Sequence, residues 1–280
     1  MHLFTSLLIF LGISSSFVIA GTIDPNTPDS KYLEFGQQFK SVVRIRAIGK
    51  CDNPQCDQKE HEQFGSGVII APNWILTAAH VLKDTREPVV IRDGGQEYRL
   101  QHVILHHEFV REKIGLHDLA LGYTSEDFKL NTYTPLYTGA DELGKAITIS
   151  GYGMHGTFTS GSVDSDGKKR GGHNVIDGKE RTVLVCSPTP GIGRMPLEFM
   201  LAPGDSGGGM FIGDKLAGIN SFVMATDKKP NGTYGDESAF TRVSMYVDWV
   251  HSQMRNYELA LKAQVTTHGD IKLADFEAAP

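Results

Sequence analysis

The chain has 280 residues, a formal charge of −6, 40% hydrophobic and 21% charged residues, and 31 glycines. That length supports one large domain or two small ones around a substantial core, and that glycine content requires many turns. No block of Lys and Arg is long enough to follow a polyanion, which excludes nucleic-acid binding as a leading function.

At the amino terminus, Leu3, Leu7, Leu8, Ile9, Phe10 and Leu11 form an apolar run, and Val18 and Ala20 satisfy the small-residue rule for cleavage after Ala20. Residues 1–20 are therefore expected to be a signal peptide. The protein is expected to be secreted, extracellular or periplasmic, with no membrane attachment after removal. A short membrane anchor is the competing reading, because the segment has no Lys or Arg. The run falls short of the roughly 20 apolar residues of a spanning helix, and no later segment could span.

From about Ser41 to Val243 short apolar runs alternate with turn residues: Ser41 to Ile45, Gly67 to Ile70, Asn73 to Thr77, Ala146 to Ser150 and Lys215 to Ile219. Ala71-Pro72-Asn73 reads as a tight connection. Many short strands at this spacing predict an all-β fold, an antiparallel sandwich or barrel. Lys50–Phe64, Met154–Arg181 and Ala225–Glu237 read as long loops, rich in Gly, Asp, Lys or Asn. Tyr246, Trp249, Val250, Met254 and Leu259 fall at helical spacing, so one helix is expected over 246–262, with a flexible tail over 263–280.

Cys51 and Cys56 are close enough along one loop to form a local disulfide in an oxidising compartment. A metal pair is the alternative, but no second Cys or His pair at zinc-site spacing follows. Neither metal nor cofactor is expected. Cys186 is left over as a buried thiol.

Three segments carry chemistry. Gly204-Asp205-Ser206-Gly207-Gly208-Gly209 is a turn that could project a serine hydroxyl among backbone N–H groups, although a glycine-rich turn with a serine is by itself ordinary. Leu76-Thr77-Ala78-Ala79-His80 closes an apolar strand on a histidine, whose near-neutral pKa suits taking and returning a proton; alone it could equally be a core or surface residue. His117-Asp118-Leu119-Ala120-Leu121 sets an acid at the mouth of an apolar strand, where a buried carboxylate needs a partner and a solvated one does not.

In the order His, Asp, Ser, these segments resemble the three signatures of the trypsin/chymotrypsin family. The likeness extends through Ser150-Gly151-Tyr152-Gly153, Gly218 to Phe222, and Phe240 to Val243 running into Tyr246 to Val250, and covers about Ser41 to Val250. The resemblance implies two antiparallel six-stranded β-barrels, about 21–138 and 139–245, with a C-terminal helix. It implies Ser206 as nucleophile, His80 as general base and Asp118 as its orienting acid. Gly204 and Ser206 would form the oxyanion hole, and Ser221 would hydrogen-bond Asp118.

Departures from the family pattern carry expectations too. Val81 stands where vertebrate members have a Cys, Gly65 occupies the partner region, and Ala202 is not Cys, which points to a bacterial or otherwise divergent member. By counting, the specificity pocket consists of Met200, Ser221, Phe222, Val223 and Ser238, and an apolar floor favours uncharged, small to medium side chains; an insertion near Met200 would bring in Glu198 instead. Asp205 would pair with a new amino terminus, and Val18-Ile19-Ala20-Gly21-Thr22 is the nearest likeness to the family's start. Internal pairing of Asp205 is the alternative. The partners expected are a polypeptide substrate and a protein inhibitor, with the chain a monomer. The rivals are an inactive binding protein on the same fold and a serine esterase, whose order would be Ser, acid, His. Asn231-Gly232-Thr233 is a glycosylation sequon, relevant only in a eukaryotic secretory pathway.

Overall fold

The computed structural model describes residues 21–50, 60–110, 116–191 and 194–274, with side chains to residue 264. Residues 1–20, expected to be a signal peptide, and Cys51 and Cys56 lie outside the described residues. In chain order the elements begin with β1 (Thr22–Ile23) and α1 (Asp29–Gly36). A first group follows: β2 (Val42–Lys50), β3 (Glu60–Ala71), β4 (Trp74–Thr77), the one-turn α2 (Ala79–Leu82), β5 (Thr85–Ile91), β6 (Glu97–Arg99), β7 (His102–Leu105) and β8 (Ala120–Tyr123). The second group is β9 (Ala146–Gly151), β10 (His155–Thr157), β11 (Gly161–Asp164), β12 (Arg170–Val175), β13 (Gly178–Lys179), β14 (Val183–Cys186), β15 (Phe199–Met200), β16 (Gly209–Ile212), β17 (Lys215–Ala225) and β18 (Asp236–Arg242). A 3-10 turn at Val243–Met245 leads into α3 (Val247–Ala274).

Two seven-stranded antiparallel sheets make the body, ordered β6-β5-β2-β3-β4-β8-β7 and β12-β9-β16-β17-β18-β14-β13. Each exceeds the expected six strands; the short β6 and β13 stand at the sheet edges. The central strands are covered on both faces, which explains their continuous apolar runs. In β4, Ile75 enters a cluster with Val43, Ile45 and Ile69, whereas Trp74 and Leu76 enter another with Tyr152, Phe211, Ile219 and Val250. That second cluster joins both sheets and α3. Truncating a fully buried member such as Leu76 to alanine removes about 2–5 kcal/mol of stability.

Three expectations are corrected. The stretch 154–181 is not one long loop: it holds β10, β11, β12 and β13, whose Gly and Asp residues serve tight turns between short strands. The helix does not end at 262 but continues to Ala274, into the segment expected to be a tail. Residues 21–36 do not belong with the first half, because β1 lies between β10 and β15 in a separate four-stranded sheet and α1 packs on β12. Helix α1 escapes the periodicity reading because only Tyr32 and Gly36 of its eight residues are buried. Instead it is pinned by one charge pair, with the Arg170 guanidinium donating to both oxygens of Asp29 at 2.6 and 2.8 Å.

Candidate active site

His80 sits on α2, immediately after β4. The fully buried Ala78 and Ala79 let the chain turn there against the sheet. Asp118 precedes β8, and its side chain is completely buried. Its Oδ1 accepts the His80 backbone N–H at 2.9 Å, and its Oδ2 lies 2.7 Å from His80 Nδ1. The second sheet reaches across as well: Ser221 Oγ donates to Oδ2 at 2.5 Å, and Thr241 Oγ1 donates to the Asp118 carbonyl at 2.9 Å. Burial alone would raise the Asp118 pKa, but the charge on His80 and the bonds from His80 and Ser221 outweigh it and hold the carboxyl below its ordinary range. An ionised carboxylate can only accept, so Nδ1 is the donor and the lone pair of a neutral ring resides on Nε2.

Ser206 lies on the turn between β15 and β16. Gly204 and Gly207 take φ of 93° and 84°, a region costly for other residues. At Gly207 a β-carbon would also fall 2.0 Å from Thr77 Oγ1 and 2.1 Å from the Ser66 carbonyl. Ser66 fastens the turn to β3. Its N–H donates to the Ser206 carbonyl at 2.7 Å, and its hydroxyl donates to the Gly204 carbonyl at 2.9 Å. The N–H groups of Asp205, Gly207 and Gly208 donate to Ala202, Asn220 and Asp205 carbonyls. Among the described residues, no acceptor is bonded to the N–H of Gly204 or Ser206. Two neighbouring donors in one turn are thus available to an oxyanion.

The serine turn and α2 meet across Gly65. A β-carbon there would be 2.8 Å from Val81 Cγ1 and 3.3 Å from the Ser206 carbonyl. The two positions flagged by the missing disulfide therefore do face one another.

Asp205 is buried beneath the turn. Its carboxylate accepts N–H bonds from Gly153 at 3.3 Å, from Ala202 at 3.4 Å, and from Gly21. Burial pushes its pKa up to about 7, and these N–H groups and the Arg170 charge only partly oppose that. Gly151 leaves the space it occupies: a β-carbon there would be 2.2 Å from Asp205 Oδ1. Gly21 is confined in the same way, since its β-carbon would fall 2.1 Å from the Phe199 ring. The register Thr22↔Met200 and Ile23↔Phe199 fixes which residue reaches Asp205.

Of the counted pocket residues, Met200 is wholly buried, with Ser238 Oγ and Asn174 Nδ2 each 3.5 Å from its sulfur. Val223 is the ladder partner of Ser238, and Phe222 of Ala239. Ser238 Oγ also accepts the Leu201 N–H at 2.8 Å. Glu198 is 1% exposed and already engaged, its Oε2 accepting the Thr189 N–H at 3.0 Å with Arg194 at 3.6 Å. Cys186 is a free, buried thiol. Sequence reasoning missed Ser66, Thr241 and Phe199. Ser66 is a small hydroxyl on a strand with no distinctive neighbours, Thr241 lies in a segment noted only for its family likeness, and the fold brings both to the site.

The family model described as Trypsin matches residues 55–250. Among curated proteins, the chain is 25% identical over 209 residues to trypsin I-P1 of Gallus gallus, covering 68% of this chain and 79% of that one. It is 28% identical over 252 residues to trypsin Tyr p 3.0101 of Tyrophagus putrescentiae, covering 77% and 79%. It is 28% identical over 192 residues to a peptidase of Corynebacterium glutamicum, covering 66% and 62%. Among solved structures, mouse neuropsin, a serine protease, superposes with a TM-score of 0.61 at 17% identity, over 78% of this chain and 96% of that one. HL collagenase superposes with a TM-score of 0.59 at 20% identity, over 78% and 95%.

Proposed function

Because the chain belongs to the trypsin family of serine proteases, we propose that it is a secreted endopeptidase acting through Ser206, His80 and Asp118. The observation that carries this reading is the grip on Asp118. Two N–H groups of His80 and a hydroxyl of Ser221 converge on one buried carboxylate, which fixes the imidazole with Nε2 as base. Ser206 Oγ attacks the peptide carbonyl carbon while its proton passes to His80 Nε2. The carbonyl oxygen becomes an oxyanion and accepts from the N–H groups of Gly204 and Ser206. Collapse breaks the C–N bond, and the amine leaves with the proton held by His80. Water then attacks the acyl-serine by the same route, returning Ser206. Each oxyanion donor contributes about 3–4 kcal/mol to the transition state.

The pocket reading favours uncharged side chains, small to medium in size. Val223 pairs with Ser238 in the β17–β18 ladder, and Met200 offers a thioether in place of a charge. A fluorophosphonate probe and a peptide-library profile test both parts. Labelling is expected in the mature protein and lost in Ser206→Ala; unlabelled mature protein would overturn catalysis. A dominant Lys or Arg preference would overturn the pocket reading and point to Glu198.

Maturation is the finer part of the proposal. Cleavage after Ala20 turns the Gly21 amide into an α-ammonium where its N–H already donates to Asp205. A buried carboxylate that burial alone would protonate then gains a cation as partner. Strand β1 supports this register, since a start one residue later would put Thr22, with its β-carbon, in the space closed by the Phe199 ring. Amino-terminal sequencing of the active protein is expected to give Gly21, and a start beyond Pro25 would sink the idea.

A further inference from the structure

We propose that His106, Glu108 and His117 form a binding site for a first-row transition cation of the zinc class, one residue from the candidate catalytic acid. The β7–β8 pair brings the three residues together. Leu105 and Ala120 are ladder partners, and the His106 N–H donates to the Leu119 carbonyl at 2.9 Å. The connection therefore leaves and re-enters the sheet at adjacent positions, with a histidine at each end. His117 takes φ of 55°, unusual for a side chain with a β-carbon, and its ring lies nearly parallel to that of His106, 12° apart with centroids at 5.1 Å. A turn closed by the Phe109 N–H donating to the His106 carbonyl brings Glu108 to the same place.

One ligand atom from each of the three residues lies within 4.8 Å of the other two. Metal bonds of about 2.0–2.1 Å in tetrahedral geometry set ligands about 3.3–3.4 Å apart. Glu108 Oε2 and His117 Nδ1, at 3.5 Å, already have that separation. His106, within 4.8 Å of both, closes on them by a side-chain adjustment of at most about 1.4 Å. Two imidazoles and a carboxylate are a donor set that suits zinc, nickel or copper better than calcium or magnesium.

The surroundings fit a cation site as well. The rings of Tyr246 and Trp249 stand against buried His106 on one side, while Glu108 is exposed on the other and leaves a coordination position to water. The bonds given up are weak or replaceable. The Glu108 N–H reaches His106 Nδ1 at a long 3.3 Å, and the Tyr246 hydroxyl, 3.0 Å from His117 Nδ1, also has Thr182 as a partner. His107, stacked on His106 at 4.7 Å, is the one further imidazole beside the cluster among the described residues.

The test uses the full mature chain carrying Ser206→Ala, which removes self-cleavage and makes the result independent of the proteolytic reading. Zinc is titrated by calorimetry, and cobalt by its visible absorption and by quenching of Trp249 fluorescence. One equivalent is expected to bind. His117→Gln and Glu108→Gln are each expected to weaken binding at least about tenfold with unchanged circular dichroism, whereas His80→Gln leaves it intact. Wild-type affinity in both His117→Gln and Glu108→Gln would overturn the site. So would loss of binding in His80→Gln, which would assign the cation to the candidate catalytic histidine. His106→Asn adds a third arm if it folds, but the exposed Glu108 and the half-buried His117 suffice.

Discussion

The two sheets contribute to the site in different ways. The first holds His80 and Asp118 on an apolar core, and among its described residues the buried acidic, basic or imidazole groups are His106 and Asp118. The second half buries Glu142, Lys169, Arg170, Glu198, Asp205, Asp236 and Arg242. Each buried charge needs its partner in place, so the half carrying Ser206 depends on more such pairings than the first, where Asp118 has His80 and Ser221. The base is therefore positioned by packing and one buried carboxylate, while the half that carries the nucleophile is laced with ion pairs and, in our proposal, completed by one that processing supplies.

The largest effects test the division of labour. Ser206→Ala is expected to lower kcat about 10⁶-fold and Asp118→Asn about 10⁴-fold, measured on a peptide substrate with folding checked by circular dichroism. A smaller loss for either would mean that its half does less than the geometry suggests. Next, a chain whose cleavage after Ala20 is blocked should lose about 10²–10³-fold in kcat while its first sheet is unchanged, because what it lacks is an ordered oxyanion turn. Full activity in that chain would remove the dependence of the second half on processing.

Stability offers a matched pair. Arg242 donates to both oxygens of Glu142, at 2.7 and 3.0 Å, so Glu142→Gln is expected to cost about 3 kcal/mol in urea unfolding. Replacing both partners by apolar residues should cost less than removing one. In the first half the comparable loss comes from an apolar truncation, Leu76→Ala.

The smallest effect is one of pH. In the uncleaved chain Asp205 keeps its proton to about pH 7 when folded but releases it near 3.8 when unfolded, so stability falls as pH rises between those values. A Gly21 ammonium lowers the folded value and removes that loss. The unfolding midpoint of the mature form should thus exceed that of the uncleaved form by more at pH 8 than at pH 5, both carrying Ser206→Ala.

Much of this was legible in the sequence because it rests on short contiguous segments. The strand before His80, the strand after Asp118 and the glycines around Ser206 each carry their own local cause: apolar runs covered on both faces, and φ values that need glycine. The role of Ser221 follows from its segment, and the structure has its hydroxyl on Asp118. What escaped is non-local. Helix α1 is held by Asp29 reaching Arg170, a partner 141 positions away. The chain from Met154 to Arg181 is polar because its strands are short and the longest, β12, buries Arg170 and Asn174 on hydrogen-bond partners rather than an apolar run, which composition cannot distinguish from a loop. The sequence offers Gly21 as a candidate start, but that only a glycine fits there emerges when Phe199 and Asp205 are seen beside it.

The meeting of Gly65 and Val81 has a practical consequence. Where related enzymes staple the histidine turn with a covalent bridge, this protein fits a valine side chain into the notch left by a glycine, so shape joins the Asp118 bonds in holding His80. Such a joint is indifferent to thiols and oxidants, and it opens by degrees when its neighbours are mutated, where a severed bridge would open at once. It also marks where a designer would fit a cross-link to learn how much play the catalytic ring ordinarily has.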